Sequence, residues 1–218
     1  EIRKLTRSID GGGMTFLENT ARFIRDNYQI PDNKPERLTR TAHQILCPDS
    51  IPEHLQKGLE KGKLPIGTCT EHGLAFRAMC LAKEIPAVYV ETILERWITV
   101  EGKDMEDPDC YENHVFLDVL VDGTWYIINS SARPEYGWNW IREKDLPEDD
   151  TTPPPYSLMK ADGSIERYRV FARGLDHTNM WTEDGREISF RSKKEWHVGI
   201  NHAFPERIEK LKRKPEDY

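Results

Sequence analysis

One cysteine stands at the start of a predicted helix, where a thiol is chemically useful. The segment Gly67–Glu71 precedes an apolar stripe with helical spacing, which ends before Pro86. Thr68 and Glu71 match a capping box, so Thr68 is the predicted N-cap and Cys69 the first helical residue. Because a helix start favours negative charge, we expect a lowered pKa and a nucleophilic thiolate at Cys69. Burial as a small apolar side chain is the alternative role.

A predicted β-hairpin supplies two further polar groups. With a two-residue Asp122-Gly123 turn, Phe116 faces Asn129, and His114 becomes the diagonal neighbour of Asn129 on one sheet face. Such diagonals lie about 7–8 Å apart, within reach for an amide to bond an imidazole. A thiolate nucleophile needs an imidazole base and a group that orients it. We therefore interpret Cys69, His114 and Asn129 as a candidate triad, the alternative being a chance polar pair on a solvated face.

In the order and spacing of its motifs, the sequence resembles the transglutaminase-like branch of the papain-like cysteine enzymes. The matching pieces are Gly67-Thr68-Cys69 opening a helix, Ile85-Pro86-Ala87 entering a strand, His114 heading a strand, the turn Asp122-Gly123 with Trp125, and Asn129 fifteen positions after the histidine. The resemblance covers Leu17 to Ala132. It implies Cys69 as nucleophile, His114 as general base and then acid, and Asn129 as the residue that orients the imidazole.

Two departures from the family pattern bear on chemistry. The family usually has Asp at the third triad position, and Asn129 can orient an imidazole without stabilising imidazolium by charge. The family also favours Gly and Arg around its Ile-Pro-Ala segment, where this chain has Glu84 and Val88. The family contains proteases, amidases, amide-transferring enzymes and inactive relatives, so the resemblance implies no single reaction.

Other residues are candidates for the oxyanion hole or the substrate cleft. The backbone N–H of Cys69 is one expected oxyanion donor, and the preceding helices offer Tyr28, Gln29 and Gln44 as a second. Trp138, with Tyr136 and Trp140, is a candidate wall of the cleft; a place in the core is the alternative.

Zinc is a competing use of the same residues. The pairs Cys69-x-x-His72 and Cys110-x-x-x-His114 offer two thiols and two imidazoles. Their spacing matches no zinc motif, His72 falls inside the predicted helix, and Cys110 follows an acidic loop. We expect neither a metal nor a cofactor.

Helices precede strands along the chain, which predicts an α+β fold of the papain-like, transglutaminase-core type. We expect a flexible arm at 1–13, a catalytic core at 14–135, and a C-terminal extension at 136–218 packed on the core. The predicted helices include Phe16–Ile24, Leu38–Leu46, a weaker His54–Leu59 and the helix from Cys69. The predicted strands are Ala87–Val100, His114–Val121, Thr124–Asn129, Ile165–Ala172 and Glu187–Phe190, followed by a closing helix at Pro205–Lys214.

Composition excludes several classes of partner. The 218 residues carry 31 Lys+Arg and 38 Asp+Glu, a net charge of −7, so no basic face for nucleic acid is expected. No apolar run approaches the length of a membrane span. Four cysteines form no disulfide framework, which favours a reducing compartment such as the cytoplasm, although a chain that starts at Glu1 is also compatible with a removed leader.

These patterns together predict a cysteine-dependent amide hydrolase that acts through a thioester on a peptide, protein or small-amide substrate. A transglutaminase-type acyl transferase and a catalytically inactive binding module are the alternatives.

Overall fold

The protein is an α+β molecule in the computed structural model, which describes residues 1–32, 40–94, 113–131, 141–143, 156–159, 163–176, 179–181 and 187–188. The helices in these ranges are α1 (Ile2–Arg7), α2 (Gly13–Asn27), α3 (Ala42–Leu46) and α4 (Cys69–Ala82), with a 3-10 turn at Glu53–Leu55. The predicted helices around α2, α3 and α4 are confirmed within the described residues. The weaker third helix is reduced to the 3-10 turn.

The segment predicted as a flexible arm at 1–13 contains a packed helix, α1. Helix α1 contacts α4, and Thr6 and Ile9 are only 1% and 5% exposed. Gly11 and Gly12 lie between α1 and α2, and Gly13 begins α2, with positive φ at Gly11 and Gly13. A helix of six residues is too short to give a readable apolar period, so only tertiary packing reveals it.

Most strands belong to one antiparallel sheet. A short parallel pair, β1 (Tyr28–Gln29) and β2 (Leu64–Pro65), stands apart from it. The sheet contains β3 (Ala87–Leu94), β4 (Asn113–Val121), β5 (Thr124–Ile128), β6 (Ile141–Glu143), β7 (Tyr156–Met159), β8 (Ile165–Asp176), β9 (Asn179–Trp181) and β10 (Glu187–Ile188). Its order is β10-β9-β8-β3-β4-β5-β6, and β7 pairs with β8.

The predicted hairpin, with its two-residue turn and its register, is confirmed. Val121 pairs with Thr124, and the ladder continues to Leu117 opposite Ile128. Asp122 and Gly123 have φ of 49° and 82°, the two positive values that a type I′ turn requires. The register and the alternation of side chains therefore place His114 and Asn129 at neighbouring positions on one sheet face.

The C-terminal part of the chain completes this sheet. Strand β8 pairs with β3 on the side opposite β4, so β3 is a central strand between them. Of the predicted C-terminal elements, the strands at 165 and 187 are present as β8 and β10. The predicted closing helix at 205–214 lies outside the described residues.

The core lies on both faces of β4. Val115, Leu117 and Val119 on one face are fully buried, and Phe116 on the His114 face is only 1% exposed. The His114 face is therefore not a solvated face. Helix α4 covers the Val115 side, where a Cβ on Gly73 would come within 2.8 Å of Val115 Cγ1.

In the part of the chain that the structure describes, no helix has the length and apolarity needed to cross a membrane.

Candidate active site

Cys69 is the first residue of α4, as predicted, and is 7% exposed. The predicted capping box is wrong, because the Thr68 side chain makes no cap hydrogen bond. Glu71 instead turns back to the preceding loop, where its Oε2 accepts a 2.6 Å hydrogen bond from the backbone N–H of Gly67. The helix start is thus held by a carboxylate from its own first turn.

A buried ion pair fixes that carboxylate. Arg40 donates from Nε to Glu71 Oε1 at 2.7 Å, and its Nη2 contacts Glu71 Oε2. The same Nη2 donates to the carbonyl of Pro65 at 3.1 Å. The side chains of Arg40 and Glu71 are 14% and 5% exposed. Arg40 bonds both the helix and the loop before it. A residue 29 positions earlier in the chain therefore fixes the position of Cys69.

A glycine allows this arrangement. A Cβ on Gly67 would lie 3.0 Å from Glu71 Oε2 and 3.1 Å from its Cδ. Glycine at this position therefore lets the Glu71 carboxylate reach the Gly67 backbone, which explains the Gly-Thr-Cys sequence in terms of packing.

His114 lies at the beginning of β4 and meets both predicted partners. Its Nε2 is 2.8 Å from Asn129 Oδ1, and its ring also hydrogen-bonds the Cys69 side chain. On β3, Thr92 pairs with His114 and donates from Oγ1 to the His114 carbonyl at 2.9 Å. The structure therefore brings Cys69, His114 and Asn129 together from α4, β4 and the end of β5.

The orientation of Asn129 defines the roles of the ring nitrogens. Ser131 Oγ donates to Asn129 Oδ1 at 3.2 Å, so this oxygen accepts from two sides. An amide oxygen can only accept, and His114 Nε2 must therefore carry the hydrogen in that bond. Nδ1 is then the nitrogen left to exchange a proton with the Cys69 thiol.

The surroundings of His114 raise its pKa above the ordinary value. Burial is the largest influence and acts in the opposite direction, because it disfavours the charged ring. The hydrogen bond and charge interaction with Cys69, the bond to Asn129 and the charge of Glu166 outweigh it. The net effect is a raised pKa for His114, although the ring is buried.

Two aromatic side chains that the sequence analysis did not identify contact the imidazole. The His114 ring centroid lies 4.8 Å from that of Phe116 and 5.7 Å from that of Tyr168. Tyr168 is 6% exposed and belongs to β8, in the predicted C-terminal extension. No local pattern links it to His114, because β3 separates their strands; only the sheet order could have revealed it.

The candidate oxyanion side chains are engaged elsewhere. Gln29 bonds the loop at 58–60, donating to the Gly58 carbonyl and accepting from the Glu60 N–H. Gln44 is exposed and forms a true capping box with Thr41 at the start of α3. Tyr28 donates to the Leu46 carbonyl, and burial raises its pKa to about 12. The geometry directs none of these side chains to Cys69, and Trp138 lies outside the described residues.

The zinc arrangement is not assembled among the residues described. No group of three or more His, Cys, Asp or Glu side chains there is placed to hold a metal ion. His72 Nδ1 instead lies 3.0 Å from the Thr68 carbonyl. Cys110 lies outside the described ranges.

Two other cysteines provide a contrast to Cys69. Cys80 is fully buried further along α4, and burial strongly raises its pKa. Cys47 is partly buried, and burial followed by the charge of Glu1 raises its pKa. Neither has the imidazole contact that Cys69 has with His114.

A second buried polar cluster lies further along the His114 face of β4. Tyr156 donates its hydroxyl to Asp118, with distances of 2.6 and 2.8 Å to the two carboxylate oxygens. Arg173 Nε lies 3.6 Å from Asp118 Oδ2. This cluster links β7 and β8 to β4 at a position four residues after His114.

Comparison of the chain with protein-family models, with curated proteins and with solved structures finds no match in any of the three.

Proposed function

We propose that the protein is a cysteine-dependent amide hydrolase of transglutaminase-like type, with Cys69 as nucleophile, His114 as base and acid, and Asn129 as the residue that orients the imidazole. The observation that carries the proposal is the hydrogen-bonded series from the Cys69 thiol through the His114 ring to Asn129 Oδ1. Nucleophile, base and orienting group are the three parts that covalent acyl transfer requires.

The first half of the reaction forms a thioester. His114 takes the thiol proton, and the Cys69 thiolate attacks the amide carbonyl carbon to give a tetrahedral oxyanion. When the oxyanion collapses, the carbon–nitrogen bond breaks and the imidazolium returns the proton to the leaving amine. The raised pKa of His114 makes the ring a stronger base, which supports its removal of the thiol proton.

The second half releases the acyl group. His114 takes a proton from water, and the hydroxide attacks the thioester carbonyl. Collapse breaks the carbon–sulfur bond, releases a carboxylic acid and returns the proton to Cys69. We assign the backbone N–H of Cys69 to the oxyanion hole, because the first N–H groups of a helix have no partner within that helix.

An activated ester tests the acylation step without knowledge of the natural substrate. We expect p-nitrophenyl acetate to release about one equivalent of nitrophenol in a burst, as in other acyl-enzyme reactions, and to leave an acetyl group on Cys69 in the intact protein. Cys69→Ala should abolish the burst. His114→Ala should slow it by about 100-fold or more, the typical contribution of general base catalysis.

Three outcomes separate the candidate functions. Release of acetate that is unaffected by added primary amines supports the hydrolase. An acetamide that forms in proportion to the amine, with less acetate, identifies an acyl transferase. A Cys69 that is acylated no faster than Cys47 identifies a binding module and contradicts the proposed activity.

A further inference from the structure

The candidate triad lacks the negative charge that an aspartate would supply. Asn129 accepts a hydrogen bond from His114 Nε2 but is neutral, so it cannot stabilise imidazolium by charge. The ring is also buried, and burial disfavours its charged form. A thiolate–imidazolium pair in this setting needs a compensating anion from another part of the structure.

Strand β8 brings a carboxylate to the imidazole. Tyr168 packs its ring against His114, with a centroid distance of 5.7 Å, and its hydroxyl donates to Glu166 Oε2 at 3.0 Å. Glu166 and Tyr168 are two residues apart on one strand, so both side chains lie on the same face. The Tyr168 hydroxyl therefore holds the Glu166 carboxylate on the side of β8 that meets His114.

We propose that Glu166, held by Tyr168, is a positioning residue that supplies the charge Asn129 lacks and stabilises the protonated form of His114. This inference rests on the proposed function of the triad. It divides the two roles of a triad aspartate between two residues: Asn129 orients the imidazole, and Glu166 provides the negative potential.

The other charged groups near His114 do not supply this charge, because each belongs to the reacting pair, is bonded elsewhere or lies on the opposite sheet face. From α4, the Cys69 thiol faces the ring, and its charge belongs to the reacting pair itself. On β4, Asp118 lies four residues along and is bonded by Tyr156 and close to Arg173. Glu91 on β3 pairs with Val115 and so belongs to the opposite sheet face. On β8, Arg167 and Arg169 alternate away from the Glu166–Tyr168 face.

A titration of the imidazole tests the proposal. In full-length Cys69→Ala protein, the thiol no longer couples to His114, and NMR reports the protonation of the ring directly. We expect Glu166→Gln in this background to lower the pKa of His114 by about 0.5 unit, roughly a threefold change in proton affinity, because the removed charge favoured imidazolium. Salt at 1 M should shrink the difference, since the screening length falls to about 3 Å.

Two further variants sharpen the comparison. Tyr168→Phe keeps the ring but releases the carboxylate, so it should lower the His114 pKa by less than Glu166→Gln. Glu18→Gln makes the same chemical change at an exposed residue of α2 that is not among the charges acting on His114, and should leave the pKa unchanged. A Glu166→Gln titration that overlays the Glu18→Gln titration overturns the proposal.

Alkylation of Cys69 separates this inference from the proposed function. With Cys69 intact, a fast-reacting thiol in the wild-type protein together with an unshifted His114 in Glu166→Gln contradicts the role of Glu166 alone. A Cys69 of ordinary reactivity together with a shifted His114 contradicts the proposed function and supports the charge coupling. Thermal unfolding of each variant confirms that the protein compared is folded.

Discussion

At the scale of single residues, the candidate site depends on which atoms of His114 face which partner. The sequence predicted the proximity of His114 and Asn129 from the hairpin alone, because a two-residue turn fixes the register and alternation fixes the face. The close contact, 2.8 Å between Nε2 and Oδ1, fulfils that expectation. The roles of Ser131, Tyr168 and Glu166 could not be read this way, since the contacts of the latter two depend on strand order.

Replacing Asn129 by aspartate tests the orientation and charge of the site separately. In the Cys69→Ala background, Asn129→Asp should raise the pKa of His114 by about 1 unit or more, because a carboxylate beside the ring favours imidazolium. Asn129→Ala should instead lower it, since the bond to Nε2 is lost. NMR titration of His114 in the two variants measures both changes. Equal His114 pKa values in both would contradict the described contact.

At the scale of elements, the contacts that hold the start of α4 differ from the capping box predicted from the sequence. The pattern Thr-x-x-Glu predicted a capping box, but Glu71 bonds Arg40 and Gly67 instead. Arg40 lies 31 positions before Glu71, so no local sequence rule pairs it with a glutamate on a later helix. A long-range buried ion pair replaced a short-range cap, which explains why the helix start was predicted and its stabilising contacts were not.

Breaking this ion pair should affect both stability and reactivity. Arg40→Ala leaves a buried carboxylate without its partner, for which we expect a loss of about 3 kcal/mol in the free energy of unfolding. Cys69 alkylation should slow as well, because the Pro65–Cys69 loop loses its anchor. Arg25→Ala removes an arginine from an exposed pair with Asp26 and is the control, expected to cost about 0.5 kcal/mol or less. Denaturant titration compares the two, and similar losses would contradict the structural role of Arg40.

The close approach of α4 to β4 gives a second prediction at this scale. Gly73 lies one turn after Cys69, and Val115 directly follows His114. A Cβ at Gly73 would come within 2.8 Å of Val115 Cγ1 and 3.1 Å of Tyr89 Cε2. Gly73→Ala should therefore lower the free energy of unfolding by about 1–3 kcal/mol through overpacking. It should also slow the alkylation of Cys69, because it moves α4 away from β4.

The matched control is Gly12→Ala, because a Cβ there meets no atom within 4 Å. Cys69 in Gly12→Ala should react as in the wild-type protein. A Gly73→Ala protein with unchanged Cys69 reactivity would show that the helix–strand distance does not set the thiol–imidazole contact.

At the scale of the whole molecule, one sheet contains strands from both the predicted core and the predicted C-terminal extension. The α+β class followed from helices preceding strands, and the sheet confirms it. The boundary predicted at residue 135 followed the extent of the family resemblance, and β8, which lies beyond it, pairs directly with β3 at the centre of the sheet. Strand order depends on side-chain packing across the whole sheet, so one sequence without its structure could not reveal that β8 borders the site.

Removal of the C-terminal part should therefore unfold the core. A chain ending at residue 135 loses β7 and β8, which would expose the buried face around Phe116 and leave Asp118 without Tyr156 and Arg173. We expect the truncated chain to lack the cooperative thermal transition of the full chain, because its central strand β3 becomes an edge. Circular dichroism on heating measures this. A truncated chain that melts cooperatively at the same temperature would contradict the joint sheet.

The central claim is that His114 activates Cys69, and the pH dependence of alkylation tests it most directly. Iodoacetamide labelling of Cys69, mapped by mass spectrometry, should remain fast well below about pH 8.5, the pKa of a free thiol, and should weaken in His114→Ala. Cys47 and Cys80, whose pKa values are raised by burial, serve as internal references. Labelling of Cys69 that follows a free-thiol pH profile and is unchanged in His114→Ala would contradict the account.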